Sequence, residues 1–245
     1  MNILKLGLAG LFLASLAFTS CSKENNCKSG SGTSTTRNLS LSTITSIDFE
    51  EAGEVIITQG ITQTVVVTGD ENVVNDIDTD VDNGAWKIAF DKDCYKDYDL
   101  TIFITVVNIN EIALSGSGSI TVNDFTGQQN DLALDISGSG SIFLSAFDGP
   151  QNMTVDISGS GTILASADIP TLKNLDIKIG GSGNYDGFSI SSDNCDINIP
   201  GSGNCKVTVN NSLDVKISGS GSVFYKGNPS ITKNITGSGE VVDAN

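Results

Sequence analysis

The chain has 245 residues, with 29 Asp and Glu against 13 Lys and Arg, a net charge of −16 and no histidine. Without an imidazole, neither a Ser-His-Asp or Cys-His nucleophile nor a histidine-containing zinc site can form. The negative charge opposes binding to phosphate backbones, so nucleic acid is not expected as a partner. A hydrophobic fraction of 38% is too high for a disordered chain and favours one or two folded domains.

The first twenty residues have the layout of a secretory signal. Lys5 carries a positive charge, residues 6–18 are largely apolar, and two small residues precede Cys21. Such a run rises about 20 Å as a helix, short of the roughly 30 Å hydrocarbon core, so a transmembrane helix is not expected. We predict a bacterial lipoprotein signal over 1–20 and a lipid on Cys21, which would anchor the protein to the outer membrane of the cell envelope, facing the periplasm or the outside. Phe18 departs from the lipobox pattern, and this leaves cleavage by an ordinary signal peptidase as the alternative.

Residues 21–36 are rich in Ser, Gly and Thr and predict a flexible tether. The rest of the chain, 37–245, predicts a single β domain. Segments rich in Val, Ile, Thr and Phe predict strands at 44–49, 54–58, 64–68, 86–90 and 100–107, with Trp86 in the core. We interpret 37–110 as the N-terminal β part, either opening coils or a sheet of the same domain, and 111–245 as a repeat part.

The repeat part carries seven Gly-Ser-Gly triplets, at intervals of 22, 21, 22, 20, 18 and 18 residues. A linker would not recur at such constant spacing between apolar strands. The triplets are 116–118, 138–140, 159–161, 181–183, 201–203, 219–221 and 237–239.

Apolar residues alternate with polar ones on both sides of each triplet. Ile136 stands two residues before its triplet and Ile142 two residues after it, and other repeats have apolar residues at the same places. A period of two indicates strands with one inward face, so equivalent residues should stack from coil to coil. We predict an all-β, right-handed parallel β-helix, or β-solenoid, with coils of 18–22 residues. The corner glycines should take backbone conformations that a Cβ would penalise, and the middle serines should form a ladder. Lys233, at an apolar position, should close the stack.

The sequence resembles the head GIN-domain family of auto-transporter adhesins over about residues 37–245. The resemblance rests on Ile47-Asp48-Phe49, Gly53-Glu54-Val55, the stretch 65–72, and residues 114–120 with their successors. It implies a secreted β-helical protein with an adhesin role, and it supplies no catalytic residues.

Aspartates occupy two outward registers of the repeats. Asp135 and Asp156 lie three residues before their triplets, whereas Asp176, Asp196 and Asp214 lie five residues before theirs. Neighbouring carboxylates would lie about 5 Å apart, within reach of a bridging Ca²⁺. We favour a hydrated acidic face, since an oxygen site needs about six ligands. No cofactor or metal is therefore predicted, with Ca²⁺ on the ladders as the alternative.

The same aspartates could serve carbohydrate binding or cleavage, although this rests on analogy with other β-helices. Outward aromatics give little support. Phe143 and Phe224 share a register but are separated by Leu164, Asp186 and Lys206, which does not predict a stacking platform.

Two cysteines belong to the same coil. Cys195 lies six residues before a triplet and Cys205 two residues after it, both at inward positions. We expect a disulfide between them in an oxidising envelope, with two buried thiols as the alternative. The functional prediction is a non-enzymatic, lipid-anchored envelope protein whose rigid acidic solenoid binds a surface protein or glycan. The alternative is a carbohydrate-active or carbohydrate-binding β-helix that uses its surface aspartates.

Overall fold

The described part of the chain consists almost entirely of β-strands. The computed structural model describes residues 27–127, 131–145, 147–166, 169 and 172–245, and their one helix, α1, is a single turn at Glu71–Val74. The predicted all-β class is confirmed, while the right-handed solenoid stays a prediction. The strands are β1 (Lys28–Ser29), β2 (Ser34–Leu39), β3 (Ser46–Phe49), β4 (Glu54–Gln59), β5 (Thr64–Asp70), β6 (Val81–Asp82), β7 (Ala85–Ile88), β8 (Tyr95–Lys96), β9 (Leu100–Val106), β10 (Glu111–Leu114), β11 (Ser119–Asn123), β12 (Leu132–Ile136), β13 (Ser141–Leu144), β14 (Asn152–Ile157), β15 (Thr162–Ala165), β16 (Asn174–Ile179), β17 (Asn184–Ile199), β18 (Cys205–Ile217), β19 (Val223–Lys226), β20 (Ser230–Ile235) and β21 (Val241–Asp243).

Strands of successive repeats pair in parallel and form two stacks that meet at the glycine corners. The pre-corner stack contains, in spatial order, β7, β3, β10, β12, β14, β16, the final parts of β17 and β18, and β20. The post-corner stack contains β9, β4, β11, β13, β15, the initial parts of β17 and β18, β19 and β21. The alternation predicted the register: Ile136 pairs with Leu114 and Ile157, and Ile142 pairs with Ile120 and Ile163.

Inward residues of both stacks form one apolar core. Ile120, Ile142 and Ile163 are fully buried in successive post-corner strands. Each such side chain contributes roughly 1.5–3 kcal/mol relative to its exposed state. Trp86 is also fully buried, as predicted, and its Nε1–H donates to the Asp78 carbonyl oxygen at 2.9 Å.

The corner glycines are required because neighbouring corners approach very closely. A Cβ would be penalised at the triplets, as predicted, but the penalty comes from this close approach and not from a left-handed φ, since the described glycines with positive φ lie outside the seven triplets. A Cβ on Gly181 would lie 2.0 Å from the Gly159 carbonyl oxygen of the preceding repeat. That oxygen accepts hydrogen bonds from the N–H groups of Ser182 at 3.1 Å and Gly183 at 3.2 Å. Glycine therefore lets the corner backbones hydrogen-bond to one another.

The middle serines form the predicted ladder along the corner. Each serine N–H from the second triplet onward donates to the first-glycine carbonyl oxygen of the preceding triplet, at 2.9–3.1 Å. All seven side chains are exposed: Ser117, Ser139, Ser160, Ser182, Ser202, Ser220 and Ser238.

We call the pre-corner strand and the post-corner strand at one level of the two stacks a rung. The first rungs do not follow chain order. β3 lies between β7 and β10, and β4 lies between β9 and β11. The chain therefore forms the β3–β4 rung, then the outer rung of β7 and β9, and returns past β3 and β4 to begin the repeats. The sequence allowed either opening coils or a sheet here, and both occur.

An antiparallel cap covers the N-terminal end of the stacks. β5 pairs antiparallel with β9, β2 pairs antiparallel with β5, and β6 pairs antiparallel with β7. At the other end, Lys233 of β20 pairs with Val215 and lies in an entirely exposed strand. An inward-register charge on an end strand discourages further strand addition.

The predicted tether over 21–36 is wrong for residues 27–36. Cys27 forms a disulfide with Cys94, and residues 34–36 belong to β2. The carboxylate of Asp70 accepts hydrogen bonds from the Gly32 N–H at 2.6 Å and the Asp99 N–H at 2.9 Å. A Cβ on Gly30 would lie 2.2 Å from an Asp70 oxygen, so the glycine permits close packing here and not flexibility.

No helix among the described residues has the length and apolar character needed to cross a bilayer.

Candidate functional site

The outward side of the pre-corner stack holds the predicted aspartate ladders beside a groove of about 420 Å³. Strand pairing confirms both registers. Asp135 pairs with Asp156, and Asp196 pairs with both Asp176 and Asp214. These five carboxylates line the groove together with Lys178 and Lys216.

Partial burial and charge repulsion raise the pKa values of two carboxylates in this groove. Burial raises the pKa of Asp135, and the Asp156 charge raises it further. Burial also raises the pKa of Asp196, with Asp176 and Asp214 adding to the effect. Five carboxylates against two ammonium groups leave an excess of three negative charges, which favours cationic or hydroxyl-rich ligands over anionic ones.

One cation of the protein already offsets a ladder carboxylate. The Lys178 Nζ lies 2.7 Å from an Asp156 oxygen. Among the described residues, no group of three or more His, Cys, Asp or Glu side chains converges in a metal-binding arrangement. A Ca²⁺ ion on the ladders would therefore be bound by pairs of carboxylates. Such pairs supply fewer oxygen ligands than a calcium site requires.

A ladder of side-chain amides borders the groove, and sequence analysis missed it. The Asn174 Nδ2 donates to the Asn152 Oδ1 at 2.8 Å, and the Asn194 Nδ2 donates to the Asn174 Oδ1 at 3.1 Å. Asp131 and Ser212 extend the ladder at its two ends. The signal was present in the sequence, because the three asparagines stand seven residues before successive triplets.

The outward side of the post-corner stack is different in character. The register from Phe143 through Leu164, Asp186 and Lys206 to Phe224 is confirmed. Sequence analysis missed its continuation on the other side of Phe143. That continuation runs through Thr121 and Ile56 to Phe103. The signal was obscured because β9 is adjacent to β4 out of chain order.

The predicted disulfide between Cys195 and Cys205 is wrong: both thiols are free and buried. Cys195 pairs with Leu175 in the pre-corner stack, and Cys205 pairs with Tyr185 in the post-corner stack. Cys205 is close to its corner, whereas Cys195 lies four residues farther from it than Ile199, about 13 Å along the strand. Burial raises the pKa of both thiols, so neither is a ready nucleophile or metal ligand. The predicted lipid site, Cys21, lies outside the described residues.

A family model described as "Putative auto-transporter adhesin, head GIN domain" matches residues 43–229. The chain belongs to this family. The match covers the first rungs and the repeats up to the end of β19, and it confirms the resemblance read from residues 47–49, 53–55 and 114–120. Membership of an adhesin family favours a surface or envelope location and weakly favours a non-enzymatic role. A comparison with curated proteins finds no match.

Solved structures share the fold over most of the chain. A putative adhesin from Bacteroides fragilis NCTC 9343 is 22% identical, with a TM-score of 0.76 over 87% of this chain and 98% of that one. A putative adhesin from Parabacteroides merdae ATCC 43184 is 18% identical, with a TM-score of 0.69 over 89% and 100%. A protein from Parabacteroides distasonis ATCC 8503, described as a putative lipid binding protein, is 26% identical, with a TM-score of 0.73 over 88% and 99%.

Proposed function

We propose that this protein is a non-enzymatic, lipid-anchored envelope protein whose rigid β-solenoid binds a surface partner, in the manner of an adhesin. The observation that carries the proposal is the regular parallel stacking of nine rungs, from β7 and β9 to β20 and β21, into long outward faces. Such faces repeat one surface chemistry at about 4.8 Å intervals and suit extended partners better than small substrates.

Corner geometry supports treating the two stacks as turns of one solenoid. Each corner connects a pre-corner strand to a post-corner strand within six residues, as between Ile179 and Tyr185. The corner N–H groups bond to the carbonyl oxygens of the preceding corner, so the backbone hydrogen bonding continues around the turn. Continuous bonding of this kind gives a stiff support for a binding surface.

A lipid on Cys21 would hold the cap close to the membrane. Five residues separate Cys21 from Cys27, which the disulfide fixes to the cap. Six peptide steps span at most about 20 Å. The repeats beyond the cap would then project from the membrane, with Lys233 near the distal end.

The anchor is tested by labelling cells with a fatty-acid analogue. We expect the label on the wild-type protein and on Cys27→Ser, and its loss in Cys21→Ala. Retention of label in Cys21→Ala would refute the anchor. The binding role is tested by attachment of producing and deletion strains to glycoprotein-coated surfaces, where the deletion should reduce attachment and unchanged attachment would refute the role.

A second candidate function is carbohydrate binding or cleavage in the acidic groove. Asp135 and Asp156 occupy neighbouring rungs, and the pKa of Asp135 is raised, as a general acid requires. Retaining glycosidases place two carboxyl groups about 5–5.5 Å apart, close to the spacing of adjacent strands. Digestion of a polysaccharide panel tests it: a product that disappears in Asp135→Asn would establish cleavage, and absence of any product would exclude it for that panel.

A further inference from the structure

We propose that the outward face of the post-corner stack binds an uncharged glycan chain along a line of exposed apolar side chains. This deepens the proposed adhesin role and rests on it. The face, called here the hydroxyl face, spans five neighbouring strands, β9, β4, β11, β13 and β15. Its central line consists of Phe103, Ile56, Thr121, Phe143 and Leu164.

The central line is continuous because its residues pair directly across adjacent strands. Phe103 is 44% exposed, Phe143 38% and Leu164 39%, and Ile56 and Thr121 between them are half-buried. The other exposed large apolar side chains among the described residues lie outside this line: Ile61, Val107, Ile231 and Ile235. Five strands at about 4.8 Å spacing make the line about 20 Å long. Contiguous exposed apolar groups on a folded protein commonly mark a binding surface.

Hydroxyl groups border this line on both sides. Ser119, Ser141 and Thr162 form one border, and their hydroxyls bond to no other described residue. Thr58 and Thr105 belong to the other border, with their hydroxyl oxygens 3.4 Å apart. Each free hydroxyl can both donate and accept a hydrogen bond.

Charge is nearly absent from the hydroxyl face. All five strands are described, and Glu54 is the one charged residue among their outward side chains. The pre-corner groove, by contrast, carries five aspartates and two lysines. In a chain of net charge −16, this face is where a neutral ligand can approach without displacing salt or desolvating ions.

The dimensions of the face argue against a second copy of the chain as its occupant. Three outward residues along each strand span about 13 Å, so the face covers about 300 Å². A stable protein interface requires about 800 Å² from each partner. A long, narrow ligand fits better than a globular one.

The cross-section of the face matches the chemistry of a sugar ring. A pyranose presents C–H groups on its faces and hydroxyls around its rim, so an apolar centre with hydroxyl borders contacts both parts. An acyl chain would leave the border hydroxyls without partners, at the cost of burying them unbonded. An extended peptide would need a free strand edge, and these five strands have both edges paired, within the stack or, for the outer edge of β9, with β5 of the cap.

The test uses the chain from Ser22 to Asn245, which keeps every described residue. Calorimetric titration is performed with cellohexaose and maltohexaose as neutral probes and hexagalacturonate as the acidic probe. We expect at least one neutral hexasaccharide to bind, and to bind more tightly than hexagalacturonate. Phe143→Ser should weaken that binding at least fivefold.

Two control variants separate the hydroxyl face from other surfaces. Phe224→Ser removes the same side chain from the same register, beyond the Asp186–Lys206 ion pair, and should change the affinity less than twofold. Asp196→Asn alters the acidic groove and should also change it less than twofold. If Phe143→Ser has a lower melting temperature than the wild-type protein, Thr121→Glu tests the same face. That substitution is at an outward position and deletes no core contact.

Several results would overturn the inference. The first is that neither neutral probe binds at millimolar concentration. The second is that Asp196→Asn loses binding whereas Phe143→Ser keeps it. The third is that sedimentation shows a dimer of the wild-type protein that the Phe143→Ser substitution dissociates. Attachment assays separate this failure from failure of the adhesin role. If deletion reduces attachment and Phe143→Ser does not, the role stands and the glycan site is wrong; if deletion has no effect, the role itself fails.

Discussion

Replacing Gly181 by alanine should destabilise the protein strongly, although the change adds one methyl group at an exposed corner. The new Cβ would lie 2.0 Å from the Gly159 carbonyl oxygen and 2.4 Å from that of Ser158. Ordinary contact begins near 3.4 Å, so the two corners must separate by about 1.4 Å. Rotating a side chain cannot relieve the clash, because both partners are backbone atoms.

Separation of this size breaks hydrogen bonds between the corners. The N–H groups of Ser182 and Gly183 donate to the Gly159 oxygen at 3.1 and 3.2 Å, already near the upper limit of a normal bond. Each bond left unmade costs about 1–3 kcal/mol. We therefore expect a loss of about 3–5 kcal/mol, and a melting temperature lower by about 10 °C for a domain of this size.

The neighbouring Gly180 supplies a matched control. Its Cβ would meet nothing closer than the Ser158 Cα at 3.9 Å, and its φ lies outside the left-handed region. Gly180→Ala should leave stability unchanged or raise it by about 0.4–1 kcal/mol, since alanine restricts the unfolded chain. Thermal unfolding of the two variants by circular dichroism tests the reasoning. A loss in Gly181→Ala no larger than that in Gly180→Ala would refute it.

Three further predictions concern the cap, the core and the groove. Cys94→Ser opens a disulfide whose cysteines are 67 residues apart and should lower the free energy of unfolding by about 4 kcal/mol, as measured by urea titration. Unchanged stability would show that the cap is held in place without the bond to Cys27. Cys195 and Cys205 should resist iodoacetamide in the native protein and react fully in denaturant, as counted by mass spectrometry; rapid native labelling would contradict their burial. Asp196 has a raised pKa, so the folded state binds its proton more tightly and loses stability as the pH rises from about 4 through the folded value. Because Asp196 is exposed and solvent screens its charge, Asp196→Asn should gain only a small amount of stability at pH 7 and nothing below pH 4. An equal gain at both pH values would reject the electrostatic cause.

The repeats were predictable because two independent constraints act at the same spacing. Inward positions such as Ile136 and Ile142 must be apolar, and corner positions must lack a Cβ. Sequence alone therefore predicted the register of every rung from Leu114 onward. The sequence predicted that a Cβ would be penalised at the corners, but composition cannot show whether a special φ or a close approach is the cause.

The first rungs were not predictable because they lack both constraints at a regular spacing. The β3–β4 corner has Glu50-Glu51-Ala52-Gly53 in place of the triplet, and β7 and β9 are joined by a loop that contains β8. Nothing periodic marks their positions, so their order in space depends on long-range pairing. The disulfide was missed because Cys27 lies in a Gly/Ser-rich stretch, where packing against Asp70 determines the structure and composition suggests a linker.

Outward positions provide the remaining functional signal, because stacking does not constrain them. The two faces share one strand spacing and are built from the same repeats. Nevertheless, Asp135, Asp156 and Lys178 occupy one face, whereas Ser141, Phe143 and Leu164 occupy the other. A requirement for solubility would be met by distributing charge over both, and an exposed line from Phe103 to Leu164 works against solubility. The unequal distribution of charge therefore needs a cause outside folding, and binding of different ligand classes by the two faces would supply one.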